Sequence, residues 1–105
     1  MKALLITPEE QSIESIDISS RDDIVKIIGY DSIIADEIGP DGDSLFFDED
    51  CFLRGTEGRF QIDNVIPVSG KGVIVGSDDK GETLKDVISD VDSIKNRIKY
   101  LSKDG

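Results

Sequence analysis

Thr83-Leu84-Lys85-Asp86-Val87-Ile88-Ser89-Asp90-Val91-Asp92-Ser93-Ile94-Lys95-Asn96-Arg97-Ile98-Lys99-Tyr100-Leu101-Ser102-Lys103 is the stretch on which the fold turns. Leu84, Val87, Val91, Ile94, Ile98 and Leu101 recur at spacings of three and four, the period of one helix face. Thr83, with Asp86 three residues on, supplies a cap. Asp86, Asp90 and Asp92 come early and Lys95, Arg97, Lys99 and Lys103 late, each sign near the helix end whose partial charge it complements. The spacing therefore predicts a long C-terminal amphipathic helix. Its stripe is narrow and falls short of the three or four heptads a coiled coil needs, so it suits packing across a sheet. The other use for such a helix is a homodimer.

Working back from this stretch, the sequence predicts strands. In the segment from Asn64 to Ser77, Val65, Ile66 and Val68 form one arm of a hairpin and Val73, Ile74 and Val75 the other. Ser69-Gly70-Lys71-Gly72 between them tolerates positive φ, and Pro67 places its arm at an edge or at a bulge. Phe60 to Ile62, Cys51 to Leu53, Ser44 to Phe47 and Ser32 to Ile38 read as further strands, with Gly39-Pro40-Asp41-Gly42 as turn chemistry. Ser20 with Asp23, followed by Ile24, Ile27 and Ile28 and stopped by Gly29, predicts a short helix. Ala3 to Ile6 and Glu14 to Ile18 pair across Pro8 to Ser12. The fold class expected is α+β: a single domain over residues 1–105, a mostly antiparallel sheet with one short helix and the long C-terminal helix.

Composition supports a folded chain. Of 105 residues, 37% are hydrophobic, sixteen of them Ile; counting Gly and leaving out Tyr brings the share to about 45%, ordinary for a globular domain. The chain has no His and one Cys. That removes Ser/His and Cys/His nucleophile pairs, imidazole ligands, intrachain disulfides and multi-Cys zinc sites. A lone thiol suits a reducing cytoplasm. Lys2 is followed by only four apolar residues before Thr7 and Pro8, too few for a secretory core, and no run reaches a membrane span. A soluble, cytoplasmic protein is expected.

The charge is the chain's strongest peculiarity. Acids number 23 against 12 bases, net −11, beyond the roughly 2 to 8 usual for a small domain. Residues 1–50 hold 14 acids and 3 bases, whereas residues 51–105 hold 9 of each, so the first half carries the whole excess. Asp31, Asp36, Glu37, Asp41, Asp43, Asp48, Glu49 and Asp50 fall in a stretch without Lys or Arg. These eight are the candidate partner-binding residues, an acidic face for a basic surface on a partner protein.

Other chemistry fits less well. Counted from Asp41, an EF-hand loop would need Gly where Phe46 stands and Glu where Phe52 stands. No metal or other cofactor is therefore assigned. With 23 acids, nearby carboxylate pairs are uninformative, and none sits inside an apolar run as a catalytic carboxylate would. Gly70, Gly72 and Gly76 precede a strand, whereas phosphate loops open a helix. Phe46, Phe47, Phe52 and Phe60, near Arg54 and Arg59, resemble a base-stacking set, but the neighbouring acids would repel a phosphate backbone. They read as core, and direct nucleic-acid binding is not expected. Cys51, beside Asp50, reads as a small buried hydrophobe.

Met1 to Pro8, Gly42 to Glu49 and Ile66 to Gly76 together resemble a family of small uncharacterised proteins, a domain of unknown function of bacteria, plasmids and phages. The resemblance orders the chain to about residue 82 and leaves the last segment outside it. The family carries no established activity, so no residue takes a catalytic role from it. It implies a setting in phage or plasmid biology, where small acidic proteins bind and block host proteins. The leading expectation is a non-enzymatic accessory or inhibitor protein, its acids mimicking nucleic acid. The alternatives are a carboxylate-based or divalent-metal-assisted enzyme, and a structural homo-oligomer subunit.

Overall fold

The computed structural model describes residues 1–38, 42–54, 58–63, 65–78 and 83–101. Strands β1 (Lys2–Thr7) and β2 (Ser12–Asp17) pair antiparallel from Lys2↔Asp17 to Thr7↔Ser12, as expected from their apolar pattern. Helix α1 (Arg21–Ile28) follows and ends where Gly29 takes a φ of 91°, its N–H returning to the Val25 carbonyl. Strand β3 (Ile33–Ile38) pairs antiparallel with β4 (Asp43–Asp48). A single 3₁₀ turn, Cys51–Leu53, then leads to β5 (Arg59–Ile62) and the two-residue β6 (Val68–Ser69). Strands β7 (Gly72–Asp78) and β8 (Thr83–Lys85), helix α2 (Val91–Lys95) and strand β9 (Ile98–Leu101) complete the order.

Two antiparallel sheets result. The larger runs β2-β1-β7-β4-β3, with β8 also on β7, and the smaller runs β6-β5-β9. Alternation along the strands sorts the core into two layers. Ala3, Ile33, Phe46, Val73 and Val75 face α1, where Ile24 is fully buried. Leu4, Ile6, Leu45, Phe47 and Ile74 face the other way, onto Phe60, Ile62, Val68 and Ile94 of the smaller sheet and α2. The larger sheet is therefore the middle layer.

Three expectations need correction. The long C-terminal helix does not exist: residues 83–101 form β8, a five-residue helix and β9. Its apolar residues still pack, but on two sides, Leu84 partly buried in the α1 layer and, in the opposite one, Ile94 fully buried with Val87, Val91 and Ile98 partly buried. Helical spacing was satisfied by a folded-back path. Asp90, expected within the first turns of the long helix, is the cap of α2, its carboxylate accepting from the Ser93 N–H at 2.7 Å. After Asn96, Ile-Lys-Tyr-Leu gains a full ladder on β5, from Ile62↔Ile98 to Arg59↔Leu101. A homodimer through that helix falls with it.

The hairpin over Asn64 to Ser77 is likewise a crossover between sheets. Val68 and Ser69 pair with Phe60 and Arg59, whereas β7 pairs with β1, β4 and β8. Gly70, at a φ of 82°, turns the chain from one layer into the next. Pro67 does precede an edge strand. Cys51 to Leu53 is a helical turn rather than a strand; the Cys51 Sγ is buried and accepts from the Ser69 N–H at 3.4 Å, which docks the turn beside β6.

Candidate functional site

The acidic stretch divides between the inside and the outside of the β3–β4 hairpin. Asp43 is 1% exposed. Its two carboxylate oxygens accept from the backbone N–H groups of Ile88 and Ser89 at 2.8 and 2.9 Å, fastening the segment before α2 to the start of β4. Asp86 performs the matching task on β1, accepting from the Lys2 N–H at 2.8 Å while the Val87 N–H donates to the Lys2 carbonyl. These bonds give the N–H groups of residues 87–89 the partners that a helix would otherwise have supplied.

Asp48 is also buried, at the far end of β4. It accepts from Ser32 Oγ at 2.7 Å, from the Asp50 N–H at 3.1 Å and from Arg54 Nε at 2.9 Å. The Arg54 guanidinium lies 4.1 Å from the centre of the Tyr30 ring, so one network ties the 3₁₀ turn to the end of α1. Burial pushes the Asp48 carboxyl up, but the hydrogen bonds from Arg54, Ser32 and Asp50 and the Arg54 charge outweigh it and hold the group below the usual carboxylate range. Asp63 is lowered too, by its pairing with Arg97, whose Nε lies 3.0 Å from Oδ2.

A carboxyl lowered in the folded state contributes stability that is complete above its unfolded pKa and is lost as pH falls through the folded one. The urea midpoint is therefore expected to hold from neutrality down to about pH 4 and to decline below it. Measured against pH, Asp48→Asn should show a shallower acid decline than the parent chain. An identical decline in both would exclude Asp48 as a source.

Neither Asp43 nor Asp48 is available to a partner, because both are spent holding the fold. Asp31, Glu37, Glu49 and Asp50 are exposed and Asp36 is half-buried; Asp41 lies outside the described residues. The register places the exposed ones at two ends of β3. Ser32 opposes Glu49, so Asp31, Glu49 and Asp50 gather at one end, and Asp36 and Glu37 stand roughly 15–20 Å away along the strand. A shallow groove of about 310 Å³ runs beside Ala35, Asp36, Glu37 and Ser44.

The cations are disposed differently. All four arginines are engaged within the chain: Arg21 with the Ile33 carbonyl, Arg54 with Asp48, Arg59 over the Phe52 ring and Arg97 with Asp63. Glu9, Glu10, Glu14, Asp17, Asp22, Asp31, Glu37 and Glu49 enter no ion pair among the described residues. Among the described residues, ion pairs take up Arg54, Lys85 and Arg97, while the acids just named face water unpaired. Composition shows the imbalance, but only the hydrogen bonds show which charges remain outside.

Phe46, Phe47 and Phe60 are core residues, whereas Phe52 and Leu53 are exposed on the 3₁₀ turn. A cleft of about 300 Å³ opens where the β1–β2 turn, the end of α1 and the β6–β7 crossover meet, with Glu9, Tyr30 and Lys71 at its walls. Among the described residues, no three Asp, Glu or Cys side chains converge as metal ligands. No described helix is long and apolar enough to cross a membrane. Set against known protein families, curated proteins and solved structures, the chain matches none of them, so its functional reading rests on this geometry.

Proposed function

We propose that this chain is a non-enzymatic protein that binds a basic surface of a partner protein, an accessory or inhibitor of phage or plasmid origin working in the cytoplasm. The observation that carries the reading is the disposition of charge: Arg21, Arg54 and Arg97 bond within the molecule, Asp50 pairs with Arg54, and Asp31, Asp36, Glu37 and Glu49 around β3 enter no ion pair among the described residues. Such a surface speeds encounter with a basic partner and repels nucleic acid. Acids spaced along an extended strand also suit a site built to take phosphates, which makes the partner a nucleic-acid-binding protein.

The test is a binary titration of the purified chain against the host protein it captures, repeated in rising salt and with competing duplex DNA. The affinity is expected to fall at least about tenfold between low and high salt, and DNA to displace the chain. Equal affinity at both salt concentrations overturns the reading.

A further inference from the structure

Strand β3 is an edge: it pairs with β4 on one side and with no described strand on the other. Which of its backbone groups face outward follows from the ladder. In an antiparallel pair, residues alternate between exchanging both hydrogen bonds with the neighbour and directing N–H and C=O away from it. The Glu49 N–H donates to the Ser32 carbonyl at 2.7 Å, in continuous register with Ile33↔Asp48. Ser32, Ile34, Asp36 and Ile38 therefore bond inward, and Ile33, Ala35 and Glu37 aim outward. Arg21 obeys the same parity, its Nη2 donating to the Ile33 carbonyl at 3.2 Å and closing that end. Ala35 and Glu37 remain as two open rungs beside the groove floored by Ser44.

We infer that β3 receives an extended, basic segment of the partner protein as an added strand. The inference rests on the charge reading above and names the place where it acts. Main-chain bonds to Ala35 and Glu37 would supply the register, and acids at both ends of the strand would select Lys or Arg on the incoming segment. A second copy of this chain is disfavoured as occupant, because pairing β3 with itself brings Asp36 and Glu37 of both copies together. The opposite edge, β2, carries α2 on its face, through Ile13 and Ile94, and serves as the internal control.

The test titrates the isotopically labelled chain with a synthetic peptide of alternating Lys and Val, and separately with one of alternating Glu and Val. Hydrogen exchange at the Ala35 and Glu37 amides is expected to slow about tenfold or more with the basic peptide alone. The outward amides of β2, Ile13, Ser15 and Asp17, should not change. Ala35→Pro removes one open donor without touching the β4 ladder and is expected to weaken peptide binding about tenfold. Should that variant fail to fold, exchange in the unaltered chain decides.

No slowing at Ala35 and Glu37, or equal slowing with the acidic peptide, overturns the inference. Slowing that rises with protein concentration alone also overturns it, in favour of self-pairing. If the captured partner binds in a salt-dependent way but binds a folded Ala35→Pro equally well, β3 is not the contact and the charge reading survives. If salt has no effect, the charge reading falls by itself.

Discussion

Replacing Asp43 with Ala is expected to cost about 3 kcal/mol of folding stability, lowering the melting temperature by more than about 10 °C. The carboxylate is buried and takes the Ile88 and Ser89 N–H groups together. Removing it strands two backbone donors under Gly42 and β4, and charge-assisted bonds of this kind are worth about 1.5–3 kcal/mol each. The unfavourable burial of the carboxylate itself offsets part of the sum. Asn keeps one acceptor but turns an amide N–H₂ toward the second donor, so Asp43→Asn should recover less than half of the loss. Thermal unfolding of the three chains checks this; an Ala variant within about 0.5 kcal/mol of the parent would mean that residues 86–89 are not held this way.

Gly76→Ala should be about as damaging. A Cβ built on Gly76 would lie 2.4 Å from the Asp86 carbonyl oxygen and 2.9 Å from Lys85 Cγ. Backbone cannot yield as a flexible side chain does, so β8 must move off β7, at a cost of about 2–3 kcal/mol. Gly76 opposes both Asp43 on β4 and Lys85 on β8, the point where the C-terminal segment comes closest to the middle strand. Urea unfolding should show the loss, and hydrogen exchange should show it first at the residues of β8. A variant as stable as the parent would contradict the close approach.

These two residues also mark the limit of what was legible in the sequence. Local signals served well where neighbours in sequence are neighbours in space. The β1–β2 pair, β3 and β4 follow from their apolar patterns and α1 stops at Gly29 as expected, although Ser20 makes no side-chain cap and Asp23 accepts from the Ser19 N–H instead; the expected turn at Gly39-Pro40-Asp41 lies outside the described residues. The C-terminal stretch misled because a spacing of three and four is met equally by a helix and by a path that buries the same residues on two sides of a sheet. The partners that decided between them, Asp43 and Lys2, lie more than 40 residues away in sequence. One signal was present: Gly76 interrupts an apolar strand, and Gly inside a strand marks close approach of another backbone.

The acidic stretch was legible as composition but not as a surface. Asp43 and Asp48 alternate poorly with their neighbours and look like the other acids until their hydrogen bonds are known. Asp48 has a nearby cue in Arg54, six residues on, since a buried carboxylate needs a paired cation. Ser32 Oγ, Tyr30 and Arg21 take part in the edge and its supports, and neither type nor spacing singled them out.

The division of the acids into structural and exposed sets is tested most directly by the salt dependence of partner binding in one variant. The chain carrying Asp31→Asn, Asp36→Asn, Glu37→Gln and Glu49→Gln leaves Asp43 and Asp48 in place, so it should melt like the parent. It should bind the captured partner at least about tenfold more weakly at low salt, with a much flatter response to added salt. Parent-like affinity and the same salt response in this variant would contradict the assignment of binding to the acids around β3.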